Sequence, residues 1–304
     1  MVHRKKAHRT NLYCAVSILL ILAVVELWGS YQLLRHGYWA RIIKVKSIQS
    51  ITVPQPKIHD YYKKRIAKES WVQLQDPEHQ CLAALKWTMN QARRIAPNSN
   101  SDDPVSLLKS VESGQGVLCD DMSILYQNVL AALGRPSRKI WLFRNVFDTY
   151  DTHSTVEVLL NGKWVIMCPT FGVTFKSSNG RLLSAQNVKE YLSKGRTSEI
   201  KTVLNGQTAY PARIEKYYIN PFLLYNNVFV VEKSSHLFAK LPLFCYGFGS
   251  KLYYEKLPHE SDSHLRFIQH LYFIFAVLIP VLILIVINYL TYLMVIKKQS
   301  RTLL

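Results

Sequence analysis

Two residues of this chain have the type and the setting for covalent chemistry. Cys119 follows the small-residue run GQGVL at 114–118 and opens a helical pattern. A thiol attacks a carbonyl as thiolate, and a free cysteine is mostly protonated near neutral pH. A helix N-terminus stabilises the thiolate through its dipole and its unpaired N–H groups. His153 lies in the strand-like run THSTVEVLL at 152–160. An imidazole in reach can take the thiol proton and return it to a leaving amine. Asp120 and Asp121 suit the helix dipole, but carboxylates beside a thiolate raise its pKa.

The elements that must position these two can be read from periodicity. Leu118, Met122, Leu125, Tyr126, Val129, Leu130 and Leu133 form an apolar stripe at helical spacing. Gly134 and Pro136 end it. Arg138 to Phe143 reads as a strand, followed by a polar loop at 148–151. Ser154 to Leu160 and Lys163 to Cys168 are two strands joined by Asn161-Gly162, a strong hairpin signal. A two-residue turn there pairs Leu160 with Lys163, sets Thr155 opposite Cys168, and sets His153 opposite Thr170. Alternation then puts His153, Thr155, Glu157, Ile166, Cys168 and Thr170 on one face. Cys168 becomes a diagonal neighbour of His153, within about 7–8 Å between backbone positions. A carboxylate at that place would orient the imidazole.

Upstream, Asp76-Pro77 predicts a helix start, with Leu82, Leu85, Met89 and Ala92 at helical spacing to about Ile95. Asp103-Pro104 repeats the signal for a short helix through Val111. Downstream, Ser184 to Leu192 reads as a helix ended at Gly195. Residues 31–75 are basic, with a strand-like piece at Ile51-Thr52-Val53-Pro54. Residues 196–266 are aromatic-rich. Neither of these two stretches reveals a site, and no internal repeat is visible.

The central stretch resembles the transglutaminase-like superfamily, the papain-related fold of transglutaminases, peptide N-glycanases and bacterial transglutaminase-like cysteine peptidases. The motifs run in order over about residues 76–175. They are Gly114, Gly116 and Cys119; then Ala132-Leu133-Gly134-Arg135-Pro136-Ser137-Arg138; then His153 with Val156-Glu157-Val158; then Gly162-Lys163-Trp164-Val165 leading to Pro169-Thr170. The resemblance implies an α+β fold, helices packed on an antiparallel sheet. It also implies a Cys119–His153 pair with Cys168 at the third catalytic position. There the family carries an aspartate, which fixes the imidazole tautomer and steadies the imidazolium. Leu118, just before the nucleophile, is bulkier than the pattern.

Each of these residues has a plainer reading. Cys168 is simple core filling, or half of a Cys119–Cys168 disulfide in an oxidising compartment. Asp148, Asp151 and Glu157 are the carboxylates that could replace the aspartate, with Glu157 best placed by strand parity. Trp87 belongs either to the core or to the site. Tyr217, Tyr218, Phe222, Tyr225 and Phe229 read as core aromatics, and Lys63-Lys64-Arg65 as a solvated or lipid-facing surface.

The chain has 304 residues and a formal net charge of +18. A basic balance suits nucleic acid, anionic lipid or acidic polymers. No basic-aromatic nucleic-acid motif is present, so nucleic acid is not an expected partner. The five cysteines include no C-x-x-C pair, and no metal or other cofactor is expected. Leu12 to Val25 is apolar but short, followed by Glu26 and Trp28. It reads as an uncleaved anchor rather than a signal peptide, since no A-x-A site follows. Phe267 to Ile296 is almost continuously apolar, contains Pro280, and runs into Lys297, Lys298 and Arg301.

The expected organisation is therefore a basic tail (1–11), a transmembrane anchor (12–30) and an N-terminal extension (31–75). A transglutaminase-like core (76–200) and its C-terminal extension (201–266) follow. A second transmembrane helix (267–296) and a basic tail (297–304) complete the chain. The charge bias places both tails in the cytoplasm and the domain on the far side, periplasmic in a bacterial inner membrane. The expected partners are the bilayer and a peptide or protein amide. Two functions are in play. One is a cysteine enzyme that hydrolyses or transfers an acyl group through a Cys119 thioester. The other is a degenerate domain serving as a binding scaffold in envelope or surface-polymer assembly.

Overall fold

The computed structural model describes residues 17–25, 28, 41–44, 55–91, 103–143, 152–206, 227–232, 251–255 and 279–302. Two compact units are distinguished. The larger takes Ile43–Val231 with Leu252–Pro258, and the other takes Met1–Ile42, Glu232–Lys251 and His259–Leu304.

The described strands form an eight-stranded sheet. Its strands are β1 (Arg41–Lys44), β2 (Ser137–Phe143), β3 (Thr152–Leu160), β4 (Lys163–Cys168), β5 (Val173–Ser177), β6 (Ile200–Leu204), β7 (Asn227–Glu232) and β8 (Lys251–Tyr254). Their order in space is β1-β8-β7-β2-β3-β4-β5-β6. The helices are α1 (Pro56–Ile66), α2 (Pro77–Gln91), α3 (Pro104–Glu112), α4 (Cys119–Ala132) and α5 (Ala185–Ser193).

Local chemistry explains the helix starts. The Asp76 carboxylate accepts from His79 N, and the Asp103 carboxylate accepts from Ser106 N at 2.9 Å. Ser184 Oγ accepts from Asn187 N at 3.0 Å. Each satisfies one of the donors that a helix N-terminus leaves open. At the end of α4, Gly134 adopts φ 68°, the left-handed conformation that closes helices.

The sheet divides the core in two. Helices α1 to α4 cover one face with Tyr62, Leu85, Leu107, Leu125 and Tyr126, which meet Val156, Val158 and Met167. The other face carries Ile140, Leu142, Ile166, Cys168 and Phe175 under α5. Tyr126 is fully buried, and its hydroxyl donates to Cys81 O at 2.9 Å. The extension before residue 76 supplies α1, whose Tyr62 and Ile66 are buried in this core.

The β3–β4 hairpin has the expected register, from Leu160 opposite Lys163 to Val156 opposite Met167. Its turn holds Asn161 at φ 49° and Gly162 at φ 73°, the two positive φ values of a type I′ turn. The helix read to about Ile95 is described as far as Gln91; residues 92–102 lie outside the described residues, as do Ile51 to Pro54. Strands β5 and β6 were not foreseen.

The smaller unit contains helical residues 17–25 and α6 (Ile279–Thr302). Leu20, Ile21 and Val24 are exposed on the first, and Leu284, Ile285 and Tyr292 on the second. Among the described residues no helix is long and apolar enough to cross a membrane. The side chains described on α6 run from 280 to 292 only.

Candidate active site

Cys119 is the first residue of α4, and Asp121 caps the helix by accepting from Leu118 N at 2.8 Å. Ser123 Oγ donates back to Cys119 O at 2.8 Å. Leu118 is 41% exposed, so its bulk points away from the core. The β2–β3 ladder continues to Thr152, whereas the β3–β4 ladder stops at Val156. Strand β3 therefore runs on past its partner, and this open stretch meets α4. The backbone N–H of Ser154 faces the Cys119 sulfur there.

Burial pushes the Cys119 thiol above its ordinary pKa. The Ser154 N–H pulls it down, the Asp120 carboxylate raises it, and the N–H groups of Asp120 and Cys119 pull it down again. Asp120 is itself held in place. Its Oδ1 accepts from Lys139 Nζ at 2.7 Å and from Trp141 Nε1 at 3.1 Å. The two carboxylates beside the nucleophile are thus committed, one to a cation and one to a helix cap.

His153 is 4% exposed and stacks on Phe171, with ring centroids 4.7 Å apart. Its Nε2 lies 3.2 Å from Cys168 Sγ. The hairpin register brings these two together as diagonal neighbours. Burial depresses the imidazole pKa from 6.5 to about 3. Burial also pushes the fully buried Cys168 thiol up to about 12. Both groups are therefore neutral near pH 7. Cys168 engages Nε2, and Nδ1 is the second nitrogen of the ring.

Glu157 is not a replacement carboxylate. Its Oε2 accepts from Arg138 Nε at 2.7 Å and pairs with Arg138 Nη2 at 2.6 Å. Its Oε1 accepts from Ala185 N at 2.7 Å, at the start of α5. Arg138 in turn stacks on Trp164 at 4.2 Å. The carboxylate is wholly used in tying β2, β3 and α5 together. Asp148 and Asp151 lie outside the described residues.

The disulfide alternative is also corrected, since Cys81, Cys119 and Cys168 are all free thiols. Trp87 is a core residue, 7% exposed, with Nε1 donating to Glu69 Oε1 at 3.1 Å and Trp71 beside it. Phe229 is core as well, packed edge-on against Phe143; Tyr217, Tyr218, Phe222 and Tyr225 lie outside the described residues. Among the described residues no group of three or more His, Cys, Asp or Glu could hold a metal ion.

Sequence reasoning missed Ser154. Its hydroxyl is buried without a hydrogen-bond partner, as are the hydroxyls of Thr155 and Thr170. Thr155 Oγ1 faces the Cys168 thiol without a hydrogen bond of normal geometry. Nothing in the sequence pattern marks Ser154, because its importance comes from the end of a ladder.

A family model described as the transglutaminase-like superfamily matches residues 64–169. No curated protein matches the chain. A solved structure from Cytophaga hutchinsonii, named as a candidate cysteine protease, is similar at 18% identity and a TM-score of 0.32. That match covers 53% of this chain and 55% of the other, so the chain spans about half the length of the structure it matches. The family match encloses Cys119, His153 and Cys168, and it is over residues 64–169 that the chain matches the transglutaminase-like superfamily.

Proposed function

We propose that the protein is a cysteine enzyme acting on an amide through a Cys119 thioester. The observation that carries this reading is Cys119 at the first turn of α4, with the Ser154 N–H of β3 facing its sulfur. It fixes the nucleophile against the strand that carries His153. The thiol proton passes to His153 Nδ1 as sulfur bonds to the acyl carbon. The carbonyl π pair moves onto oxygen. Collapse reforms the carbonyl and breaks the C–N bond, and the amine leaves with the proton from His153. Water or a second amine then resolves the thioester, giving hydrolysis or acyl transfer. No cofactor enters these steps.

The resting pair is a neutral thiol and a neutral imidazole, since Cys168 offers no negative charge. Turnover is accordingly slow compared with a full triad. The test uses the full-length protein with a glutamine-containing peptide and a biotinylated primary amine. Acid quench and mass spectrometry should find an acyl adduct on Cys119, absent in Cys119→Ala.

A second reading, a binding scaffold in envelope or surface-polymer assembly, is favoured by the thiol at the aspartate position. It stands if no adduct forms and Cys119 alkylates no faster than a free thiol.

We also propose membrane attachment on both sides of the domain, at a bacterial inner membrane with residues 31–266 periplasmic. Support comes from the exposed Leu20, Ile21 and Val24, the exposed Leu284, Ile285 and Tyr292, and the basic run after Ile296. Alkaline carbonate extraction should leave the protein in the membrane pellet. Reporters at either terminus should give cytoplasmic signals; a periplasmic signal would overturn the topology.

A further inference from the structure

We propose that Ser154 is a catalytic residue, its hydroxyl donating a hydrogen bond to the oxygen that turns negative when Cys119 attacks an acyl carbon. The inference rests on the thiol-enzyme reading above and adds a group to it.

Strand alternation separates Ser154 from its neighbour. His153 points to the face shared with Cys168. Ser154 points to the face shared with Val156 and Val158, which α4 covers. Cys119 opens α4, and the Ser154 N–H faces its sulfur. The hydroxyl of the same residue is therefore within one residue's span of the nucleophile. Ser154 is 3% exposed, and its Oγ has no hydrogen-bond partner. A buried hydroxyl that bonds to nothing costs stability, and such groups are uncommon in folded proteins. In the resting molecule nothing offsets that cost.

The surroundings leave the hydroxyl little other use. Trp141 pairs directly with Ser154 across β2, but its indole N–H is committed to Asp120. Lys139 is committed to the same carboxylate. Thr155 and Thr170, the two other unpartnered hydroxyls nearby, belong to the register positions around Cys168 and His153 rather than to the α4 face. The backbone N–H groups of Cys119 and Asp120 are turned toward Sγ. Either of them supplies one donor for an oxygen bonded to the carbon that sulfur attacks. Ser154 supplies a second, and no proton leaves it. Donors fixed in advance at the place where charge develops lower the barrier more than they stabilise the substrate.

Two reactions of Cys119 separate this role from others. Acylation by p-nitrophenyl acetate passes through an oxyanion: sulfur bonds to carbon, the π pair moves to oxygen, and collapse expels p-nitrophenolate. Alkylation by iodoacetamide displaces iodide at carbon and forms no oxyanion. Both rates are measured on the full-length protein. Ser154→Ala should slow acylation about 100-fold and leave alkylation unchanged, while Ser154→Thr should retain acylation. Unchanged acylation in Ser154→Ala overturns the proposal. Equal loss of both reactions also overturns it, because the hydroxyl would then serve the sulfur or the packing. If the unmodified protein alkylates at Cys119 but is never acylated, the thiol-enzyme reading itself fails, and this inference fails with it.

Discussion

His153 Nε2 and Cys168 Sγ meet at 3.2 Å across the β3–β4 hairpin, both in the protein interior. The contact joins two groups that hold no charge near pH 7. In a full triad a carboxylate at this point would steady the protonated imidazole. Here burial acts alone on His153, which is why its pKa falls to about 3.

Restoring the charge should restore the base. In Cys168→Asp the new carboxylate would lie within ion-pair range of Nε2 and raise the His153 pKa by 1–3 units or more. Alkylation of Cys119 by iodoacetamide at pH 6 should then rise about 10-fold or more. Cys168→Ser, which adds no charge, should behave like the unmodified protein. A Cys168→Asp protein that folds and alkylates at the unmodified rate would mean that His153 does not act on Cys119.

The same burial makes stability depend on pH in two windows. The unfolded chain protonates His153 near pH 6.5, whereas the folded chain resists until about 3. The unfolded state binds more protons in between, so stability falls as pH drops from 6.5 toward 3. The His153 contribution is on the order of a few kcal/mol. At the alkaline side, Cys168 and Cys81 stay protonated up to about 12, while in the unfolded chain they ionise near 9. Their contribution is therefore complete below 9 and lost as pH rises toward 12. Urea titrations across pH should show both limbs, and His153→Gln should flatten the acidic one.

Glu157→Gln should destabilise by about 3–5 kcal/mol, because it leaves the buried Arg138 without its counter-ion. The Ala185 N–H would also lose an ionic acceptor. A paired apolar replacement, Arg138→Met with Glu157→Leu, should recover much of the loss. Denaturant midpoints decide this; a small effect of Glu157→Gln alone would contradict the ion-pair account.

Trp87 offers a control for the site. Trp87→Ala removes a large core side chain and should cost about 3–5 kcal/mol. Trp87→Phe keeps most of the packing, and its acylation rate with p-nitrophenyl acetate should match the unmodified protein. A selective loss of acylation in Trp87→Phe would put the indole in the site.

What the sequence made legible was local. Asn161-Gly162 fixed the hairpin register by turn chemistry, and that register led directly to the His153–Cys168 contact. Asp76, Asp103 and Ser184 announced their helices because capping acts within three residues. What stayed hidden depended on distance along the chain. Glu157 finds Arg138 only through the β2–β3 register and Ala185 only through the placement of α5. Strand β5 is five residues long and buried at four of them, so it has no alternation to read. Helix α1 carries Lys57, Lys63, Lys64 and Arg65 around a narrow buried stripe of Tyr62 and Ile66, and periodicity alone does not reveal it. Ser154 escaped because the end of a ladder is a property of two strands together.

The Asn161-Gly162 turn has a consequence far from itself. From Leu160 back to His153 is about 24 Å of strand, yet the partner of the imidazole is decided at the turn. One residue inserted between Asn161 and Lys163 would slide β4 by one step and invert its faces. Met167 would then stand where Cys168 now meets His153, and the thiol would lie beneath α4. The chemistry offered to His153 is thus a matter of counting from the bend, and its length is as much a part of the site as the cysteine itself.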